Sequence, residues 1–291
     1  MHPAPVPAVV GTPFIVRQER FASVPSTNDV VRTWLEEGTP EACLAVADEQ
    51  SAGRGRSGRT WVAPRGAALL LSVGFRPVWL AAQRAWQLAA LASLAMADAA
   101  EEVAGLADRS IRLKWPNDLV VETVSGRAVV GPWRSGDEAR EIRKLAGVLG
   151  ETVGLGGDSP RVVVGLGINA GWPAAAFPPE LAASMTSLAA ASGGRPIDLV
   201  LLLDAFLGRL EARVEALRAG RFDVADWTDR QLTTGRTVRL ETHGTGSSAS
   251  AIVRALGVDP LTGALVVADP DGIAGERSVV SGEIHHLRVE V

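Results

Sequence analysis

Cysteine is almost missing from this 291-residue chain, in which Cys43 stands alone. A single thiol cannot close an internal disulfide, and it cannot build a multi-cysteine zinc site. Lysine is nearly as scarce. Of 29 basic residues only Lys114 and Lys144 are lysines, which suggests that these two positions need a compact ammonium where the others accept a planar guanidinium. No apolar run reaches the roughly 20 residues that span a bilayer. The most apolar long stretch, Trp79 to Ala107, is broken by Gln83, Arg84, Gln87 and Asp98 and reads as a buried, alanine-rich helix. Residues 1–20 lack the basic start and long apolar core of a secretory signal. An excess of positive charge is also lacking. The net charge of −4 argues against a general nucleic-acid coat and leaves room for a local basic site. The expectation is a soluble, cytoplasmic protein that binds neither DNA nor a membrane.

What is present is organised in two parts. Residues 1–13, rich in Pro, Ala and Val, read as a loose arm. Ser26-Thr27-Asn28-Asp29 starts a helix whose apolar face carries Val30, Val31, Trp34 and Leu35. Strands are expected at Cys43–Asp48, Ala67–Phe75, Ile111–Leu113, Leu119–Val121, Leu145–Glu151 and Val162–Ile168. Helices are expected over residues 79–104 and at Leu199–Leu217, where Leu203, Phe206, Leu207, Leu210, Val214 and Leu217 recur at helical spacing. Residues 122–143 are polar, carry Gly and Pro, and read as an inserted hairpin or a mobile loop. Beyond Trp227 the pattern changes to short strands separated by turns, Val238–Glu241, Ala251–Leu256, Ala264–Ala268, Ser278–Val280 and His286–Val289. They suggest a small barrel-like unit over 232–291 that follows a larger unit over 1–231.

Four segments carry chemistry. Gly53-Arg54-Gly55-Arg56-Ser57-Gly58-Arg59, with Trp61 after it, combines glycines that let amides approach an anion with arginines that grip phosphate or carboxylate. It is not a P-loop, since no Gly-Lys-Ser/Thr follows. Taken alone it is equally a solvated basic loop. Leu113-Lys114-Trp115-Pro116-Asn117-Asp118-Leu119 puts an ammonium at a strand end, followed by a fixed turn and two polar residues. Lys144–Glu151 and Gly165-Leu166-Gly167-Ile168-Asn169 read as core strands with glycines where a neighbour packs close. The second of these ends a strand without opening a helix and lacks a third glycine, which excludes a dinucleotide fingerprint. His2, His243, His285 and His286 show no metal-ligand spacing, and no metal ligand is assigned.

Taken in this order and at this spacing, Ser26-Thr27-Asn28, Gln50 with Gly53–Arg59 and Trp61, Lys114–Asp118, Lys144–Glu151 and Gly165–Asn169 resemble the biotin protein ligase family over roughly residues 20–230. Ser281-Gly282-Glu283 is similar to that family's C-terminal ending. The resemblance implies an α+β fold, with a mixed-sheet catalytic domain of the biotin/lipoate ligase type followed by a small SH3-like β-barrel. About 20 residues precede the first matching segment, too few for the winged-helix DNA-binding domain of larger relatives, so a monofunctional ligase is expected. Gly150 occupies a position that is commonly larger in the family.

The resemblance further implies two chemical steps. Biotin and MgATP give biotinyl-5′-AMP, and a lysine of a biotin carboxyl carrier domain of acetyl-CoA carboxylase or another acyl-CoA carboxylase then takes the biotinyl group. Carried over residue by residue, Lys114 is the first candidate for the catalytic cation, with Arg56 and Asp118 beside it. Ser26, Thr27, Asn28, Gln50, Arg54, Gly55, Arg56, Trp61 and Lys114 are the biotin-binding candidates. Gly53, Arg54, Arg56, Arg59, Lys114, Asn117 and Asn169 are those for ATP. ATP and Mg²⁺ are the implied cofactors, and a monomer or weak homodimer is expected. A lipoate or octanoate ligase or transferase of the same fold is the nearest alternative. An RNA-binding module is disfavoured by net acidity and by the lack of interleaved aromatics on the barrel strands.

Overall fold

The computed structural model describes residues 13–131, 140–244, 247–269, 275–280 and 282–286. An eight-stranded mixed sheet forms its larger part. The strands are β1 (Arg17–Phe21), β2 (Cys43–Ala47), β3 (Ala68–Phe75), β4 (Ile111–Lys114), β5 (Asp118–Val124), β6 (Arg127–Ala128), β7 (Glu141–Val153) and β8 (Arg161–Asn169). They run in the order β1-β2-β3-β8-β7-β5-β4, with β6 paired to β5. Only β1–β2 is parallel among these pairings; the others are antiparallel. The helices are α1 (Thr27–Glu36), α2 (Trp86–Ala104), α3 (Pro179–Ala182), α4 (Leu188–Ala191), α5 (Leu199–Arg218) and α6 (Val224–Asp229).

The sheet is covered on both faces, which explains why β2, β3 and β8 read as continuous apolar runs. Leu44, Val46, Leu69, Leu71, Val73 and Phe75 pack with α2 and α5 in the main core. Cys43, Ala45 and Val163 pack on the opposite face with Val31, Trp34 and Leu35 of α1. Gly74 makes the second packing possible, because a Cβ there would lie 2.5 Å from Val31 Cγ1 and 2.7 Å from the Cys43 sulfur. α1 therefore lies flat on the sheet, with its N-terminal residues over β3 and β8.

A second, five-stranded antiparallel sheet comprises β9 (Thr237–Gly244), β10 (Ser247–Val258), β11 (Leu265–Ala268), β12 (Arg277–Val279) and β13 (Glu283–His286), in the order β12-β11-β10-β9-β13. This is the small C-terminal unit the resemblance implies, though no pairing between β12 and β13 closes it into a barrel among the described residues. It leans on the large sheet through Trp115 Nε1 donating to the Gly263 carbonyl (3.0 Å), Trp86 Nε1 donating to the Leu261 carbonyl (3.2 Å), and an Arg236–Glu122 ion pair of 2.9 Å.

Several boundaries differ from the sequence reading. α2 starts at Trp86 rather than residue 79. The residues before it form a turn and a short 3-10 segment, Ala82–Arg84, with Trp79 held by a 2.6 Å bond from its indole to Glu41. β1, α3, α4 and α6 were not foreseen; none is longer than six residues, too short for periodicity to mark them. The 122–143 stretch resolves at its start into a β5–β6 hairpin turning at Ser125-Gly126, while residues 132–139 lie outside the described residues. The last strand begins at Glu283, three residues earlier than expected, and 287–291 lie outside the described residues, as do 1–12 of the expected loose arm. No helix among the described residues is long and apolar enough to cross a membrane.

Candidate active site

A cavity of about 590 Å³ opens where the start of α1, the 50–61 hairpin, β4–β5, the middle of β7 and β8, and β13 meet. A more open pocket of about 1230 Å³ adjoins it, and the arginine hairpin and Trp115–Asn117 line both. One wall is neutral and polar. Ser26, Thr27 and Asn28 are all buried there, although Ser26 is the N-cap of α1 by backbone position and its hydroxyl does not cap the helix. Gln50 Oε1 instead accepts from the Thr27 backbone N–H (2.8 Å) and the Thr27 hydroxyl (3.1 Å). The Ser72 hydroxyl of β3 lies 2.7 Å from Thr27 Oγ1 and 2.6 Å from Asn28 Oδ1 and has one hydrogen to donate between them. Among the described residues the buried Asn28 Nδ2 has no hydrogen-bond partner, and it is suited to donate to a ligand. Sequence reasoning missed Ser72. Its one trace was a hydroxyl in the otherwise apolar strand Ala68–Phe75.

The floor explains the glycines of β7 and β8. A Cβ at Gly167 would come within 2.8 Å of the Trp61 indole, one at Gly165 would collide with Asn28 Oδ1, and one at Gly147 would meet Trp61 and Lys144 at 3.4 Å. At Gly165 and Gly167 side chains, not a neighbouring backbone, require a bare position, whereas at Gly147 the contact is an ordinary one. Gly53 is instead held bare by backbone: a Cβ there would be 2.5 Å from the Trp61 carbonyl oxygen. Gly53 accordingly lines only the adjoining pocket. Gly150, by contrast, faces Ala89 with room to spare at 3.8 Å.

The other walls are charged. Lys114 and Lys144, the only lysines of the chain, both line the cavity. Lys144 Nζ is 2.6 Å from Asp118 and sits over the Trp61 ring, 5.6 Å from its centroid. Lys114 makes no direct ion pair among the described residues. Burial lowers its pKa below the ordinary lysine range, and the nearby Asp118 charge only partly restores it. It is a desolvated cation facing a cavity, a state that an incoming anion relieves.

The hairpin is internally bonded. Gly55 N donates to the Arg59 carbonyl (2.7 Å), Trp61 N donates to the Gly53 carbonyl (3.0 Å), and residues 56–58 make a 3-10 turn with Ser57 at φ 54°. Its arginines meet carboxylates of this same chain. Arg54, expected to grip a phosphate, forms an end-on bidentate pair with Asp29 (2.8 and 2.9 Å) and reaches Glu151 (3.2 Å). Arg59 pairs with Glu283 of β13. Burial alone would raise the Glu283 pKa, but the Arg59 hydrogen bond together with the charges of Arg59, His285 and Lys114 outweighs it and holds the carboxyl below its usual range. Arg56 lines both pockets, and burial lowers its pKa.

Of the residues singled out in the sequence, Ser26, Thr27, Asn28, Gln50, Arg54, Gly55, Arg56, Arg59, Trp61, Lys114, Asn117 and Asp118 share the cavity lining. Asn117 also braces the wall, donating from Nδ2 to the Val148 carbonyl at 2.7 Å. Asn169 is not brought to the cavity. It is fully buried at the end of β8 and donates to the Thr186 carbonyl (3.1 Å). Asp29 and His285 were not foreseen as part of this region, and Glu151 and Glu283 were singled out only as the ends of matching segments, without a role. His285 lies 3.5 Å from Glu241 across the β9–β13 pair and 4.0 Å from Glu283, so its neighbours come from the fold rather than from local spacing.

The comparisons with known proteins bear on this arrangement. Residues 20–169 match the model of the biotin/lipoate A/B protein ligase family. The chain is 32% identical over 255 residues to a biotin--[acetyl-CoA-carboxylase] ligase of Mycobacterium tuberculosis, covering 85% of this chain and 80% of that one. It is 31% identical over 255 residues to a Paracoccus denitrificans protein of the same name, covering 86% and 92%. Its fold superposes on the biotin protein ligase from Aquifex aeolicus in complex with biotin and ATP with a TM-score of 0.69 at 22% identity, covering 94% of this chain and 100% of that one. From the family match and the extent of these alignments it follows that the chain belongs to the biotin/lipoate A/B protein ligase family.

Proposed function

We propose that this protein is a biotin–carboxylase ligase, which joins biotin to ATP as biotinyl-5′-AMP and passes the biotinyl group to a lysine of a biotin carboxyl carrier domain. The observation that carries the reading is a cavity with a neutral hydrogen-bonding wall on one side and, on the other, a cationic wall in which Lys114 makes no direct ion pair among the described residues. A ureido ring is neutral and polar at its edge, so it is recognised by donors and acceptors and not by charge. Ser26, Thr27, Asn28 and Gln50 supply such an edge, with Trp61 as the apolar surface beneath. The curated relatives at 31–32% identity bear a biotin ligase name, which favours biotin over lipoate or octanoate.

In the first step a carboxylate oxygen attacks the α-phosphorus of ATP. A phosphorus–oxygen bond forms, the bond to the bridging oxygen breaks, and pyrophosphate departs with the electron pair. Both reactants are anionic, so the barrier is set largely by charge repulsion, and fixed cations in a poorly solvated site reduce it. Lys114, desolvated and without a direct ion pair, is the group whose interaction with the two anions grows most on their approach. Lys144, fixed by Asp118 over Trp61, presents a second ammonium to the same floor. Arg56 and Arg59 are placed to hold the nucleotide phosphates. In the second step the carrier amine attacks the acyl carbon, AMP leaves, and the amine loses a proton; Asp118 in the lining is suited to orient that amine.

Magnesium is implied by the use of ATP, and with a nucleotide it takes one or two carboxylates plus phosphate oxygens, so it needs no dedicated cluster of protein ligands. The one group of three candidate ligands among the described residues is Glu241, Glu283 and His285, whose ligand atoms lie within 4.8 Å of one another. Its imidazole is a softer donor than magnesium favours, and Glu283 is already taken by Arg59. No step is assigned to a resident ion.

The test is ATP- and biotin-dependent labelling of a purified carrier domain, together with biotin-dependent exchange of labelled pyrophosphate into ATP. Labelling with biotin and none with lipoate is expected. Failure to label, or an equal response to lipoate, would overturn the assignment.

A further inference from the structure

Asp29, Arg32, Arg54 and Glu151 form a closed ring of two positive and two negative groups at the base of the arginine hairpin, and the reaction outlined above uses none of its contacts. Arg54 commits both terminal nitrogens, Nη1 to Asp29 Oδ2 at 2.8 Å and Nη2 to Asp29 Oδ1 at 2.9 Å and Glu151 Oε1 at 3.2 Å. Arg32 closes the ring with Asp29 Oδ1 at 2.5 Å and Glu151 Oε2 at 3.6 Å. Bidentate pairing of this kind is directional and stronger than a single ionic contact.

The ring joins three elements that each carry part of the cavity. Asp29 directly follows Thr27 and Asn28 on α1, Glu151 lies on β7 seven residues after Lys144, and Arg54 precedes Arg56 by two residues on the hairpin. The hairpin is stiff beyond Arg54, through the Gly55–Arg59 and Gly53–Trp61 backbone bonds, so fixing Arg54 fixes Arg56. To reach a phosphate, Arg54 would have to give up three charge-assisted contacts and leave two carboxylates to Arg32 alone. Arg54 also holds the Asp29 carboxyl below its usual range, so this pairing survives well into acid.

We propose that Asp29, Arg54 and Glu151 are positioning residues, a carboxylate clamp that docks the arginine hairpin onto α1 and β7 and so places Arg56 for the nucleotide. The kinetic part of this inference rests on the ligase reading; the clamp itself does not.

Two measurements test it. The hairpin contains its own tryptic sites, so cleavage after Arg56 and Arg59 in the ligand-free full-length protein reports how often it lifts. Asp29→Asn/Glu151→Gln should accelerate that cleavage about tenfold, the size expected for losing two half-exposed charge-assisted pairs. Unchanged cleavage would overturn the clamp, whatever the reaction catalysed.

The second measurement is a kinetic cycle of carrier labelling with Asp29→Asn, Arg54→Met and the double variant. A clamp predicts about a tenfold loss in kcat/KM for either single variant, little further loss in the double, and partial rescue by Arg54→Lys, which can still hold one carboxylate. If Arg54 were a phosphate ligand instead, Asp29→Asn would leave the KM for ATP unchanged or lower it, Arg54→Met would raise it, and the effects would add. That pattern would overturn the proposal. A wild-type protein that labels no carrier would sink the ligase reading and leave the proteolysis arm to decide the clamp.

Discussion

Two arginine–carboxylate networks of similar composition sit in this molecule, in opposite environments. Arg230, only 2% exposed, is enclosed by α2, α6 and β4. It donates to Glu101 twice at 3.0 Å, to Asp98 at 2.5 Å and to the Ile111 carbonyl at 2.8 Å. Burial works against its charge, but the Glu101 hydrogen bond and the surrounding carboxylates more than compensate, and its pKa stays above the usual value. Arg54, at 37% side-chain exposure, makes contacts of the same kind on the cavity rim. The difference is one of consequence. A buried charge cannot part from its counter-ions without a large desolvation penalty, whereas a rim charge can be exchanged at modest cost. The first network is suited to holding a fold together and the second to holding a loop in place beside a ligand site.

The largest expected effect follows from the buried network. Arg230→Met should cost about 3–5 kcal/mol, because Glu101 is left buried without its partner. Glu101 also accepts from the Ile111 backbone N–H at 2.7 Å, so the loss would reach the strand that ends in Lys114. Combining Arg230→Met with Glu101→Gln removes the orphaned charge and keeps an acceptor, and it should recover much of the loss. Urea unfolding monitored by circular dichroism gives both values. A cost for Arg230→Met below about 1 kcal/mol, the range of exposed pairs, would erase the distinction drawn between the two networks.

Next in size is the cation that belongs to neither network. Lys114→Ala should lower biotin-dependent pyrophosphate exchange by about 10²–10³, the usual cost of removing one preorganised charge-stabilising group. Lys144→Ala should fall in the same range, with Asp118 left unpaired as well. Replacement of either lysine by arginine should restore little, because a planar guanidinium does not reproduce the position of a compact ammonium. The pH dependence has a definite sign. Since burial lowers the Lys114 pKa, its charge is lost as pH rises through a value below the ordinary lysine range, and kcat/KM should decline there. An alkaline limb that is unchanged in Lys114→Ala would assign it to another group.

How much of this could be read from the chain varies with the physics involved. β2, β3 and β8 were legible because strands covered on both faces are apolar throughout, and α5 because its buried stripe recurs at helical spacing. The hairpin and the two lysines stood out by composition. The carboxylates that hold the arginines did not, since Glu151 is 97 positions from Arg54 and Glu283 is 224 from Arg59, and no local pattern connects them. Asp29 was visible only as a helix-start residue, and Asn169 as the end of a glycine-rich run. Whether each turned toward the cavity or away from it depended on tertiary packing.

The smallest expected effect separates the networks most cleanly. At about 1 M salt the screening length falls to about 3 Å from about 10 Å at 0.1 M, and only charges open to solvent feel the change fully. Tryptic cleavage after Arg56 and Arg59, normalised to cleavage of an unfolded peptide to correct for the protease, should rise about two- to threefold over that range as the rim pairs weaken. The stability difference between wild type and Arg230→Met should not move, because ions do not reach a guanidinium enclosed by α2, α6 and β4. Equal salt sensitivity in the two measurements would mean that burial does not decide which network is structural. The hairpin would then be held mainly by its own backbone bonds, and the carboxylates around Arg54 would be its solvated neighbours and not its anchors.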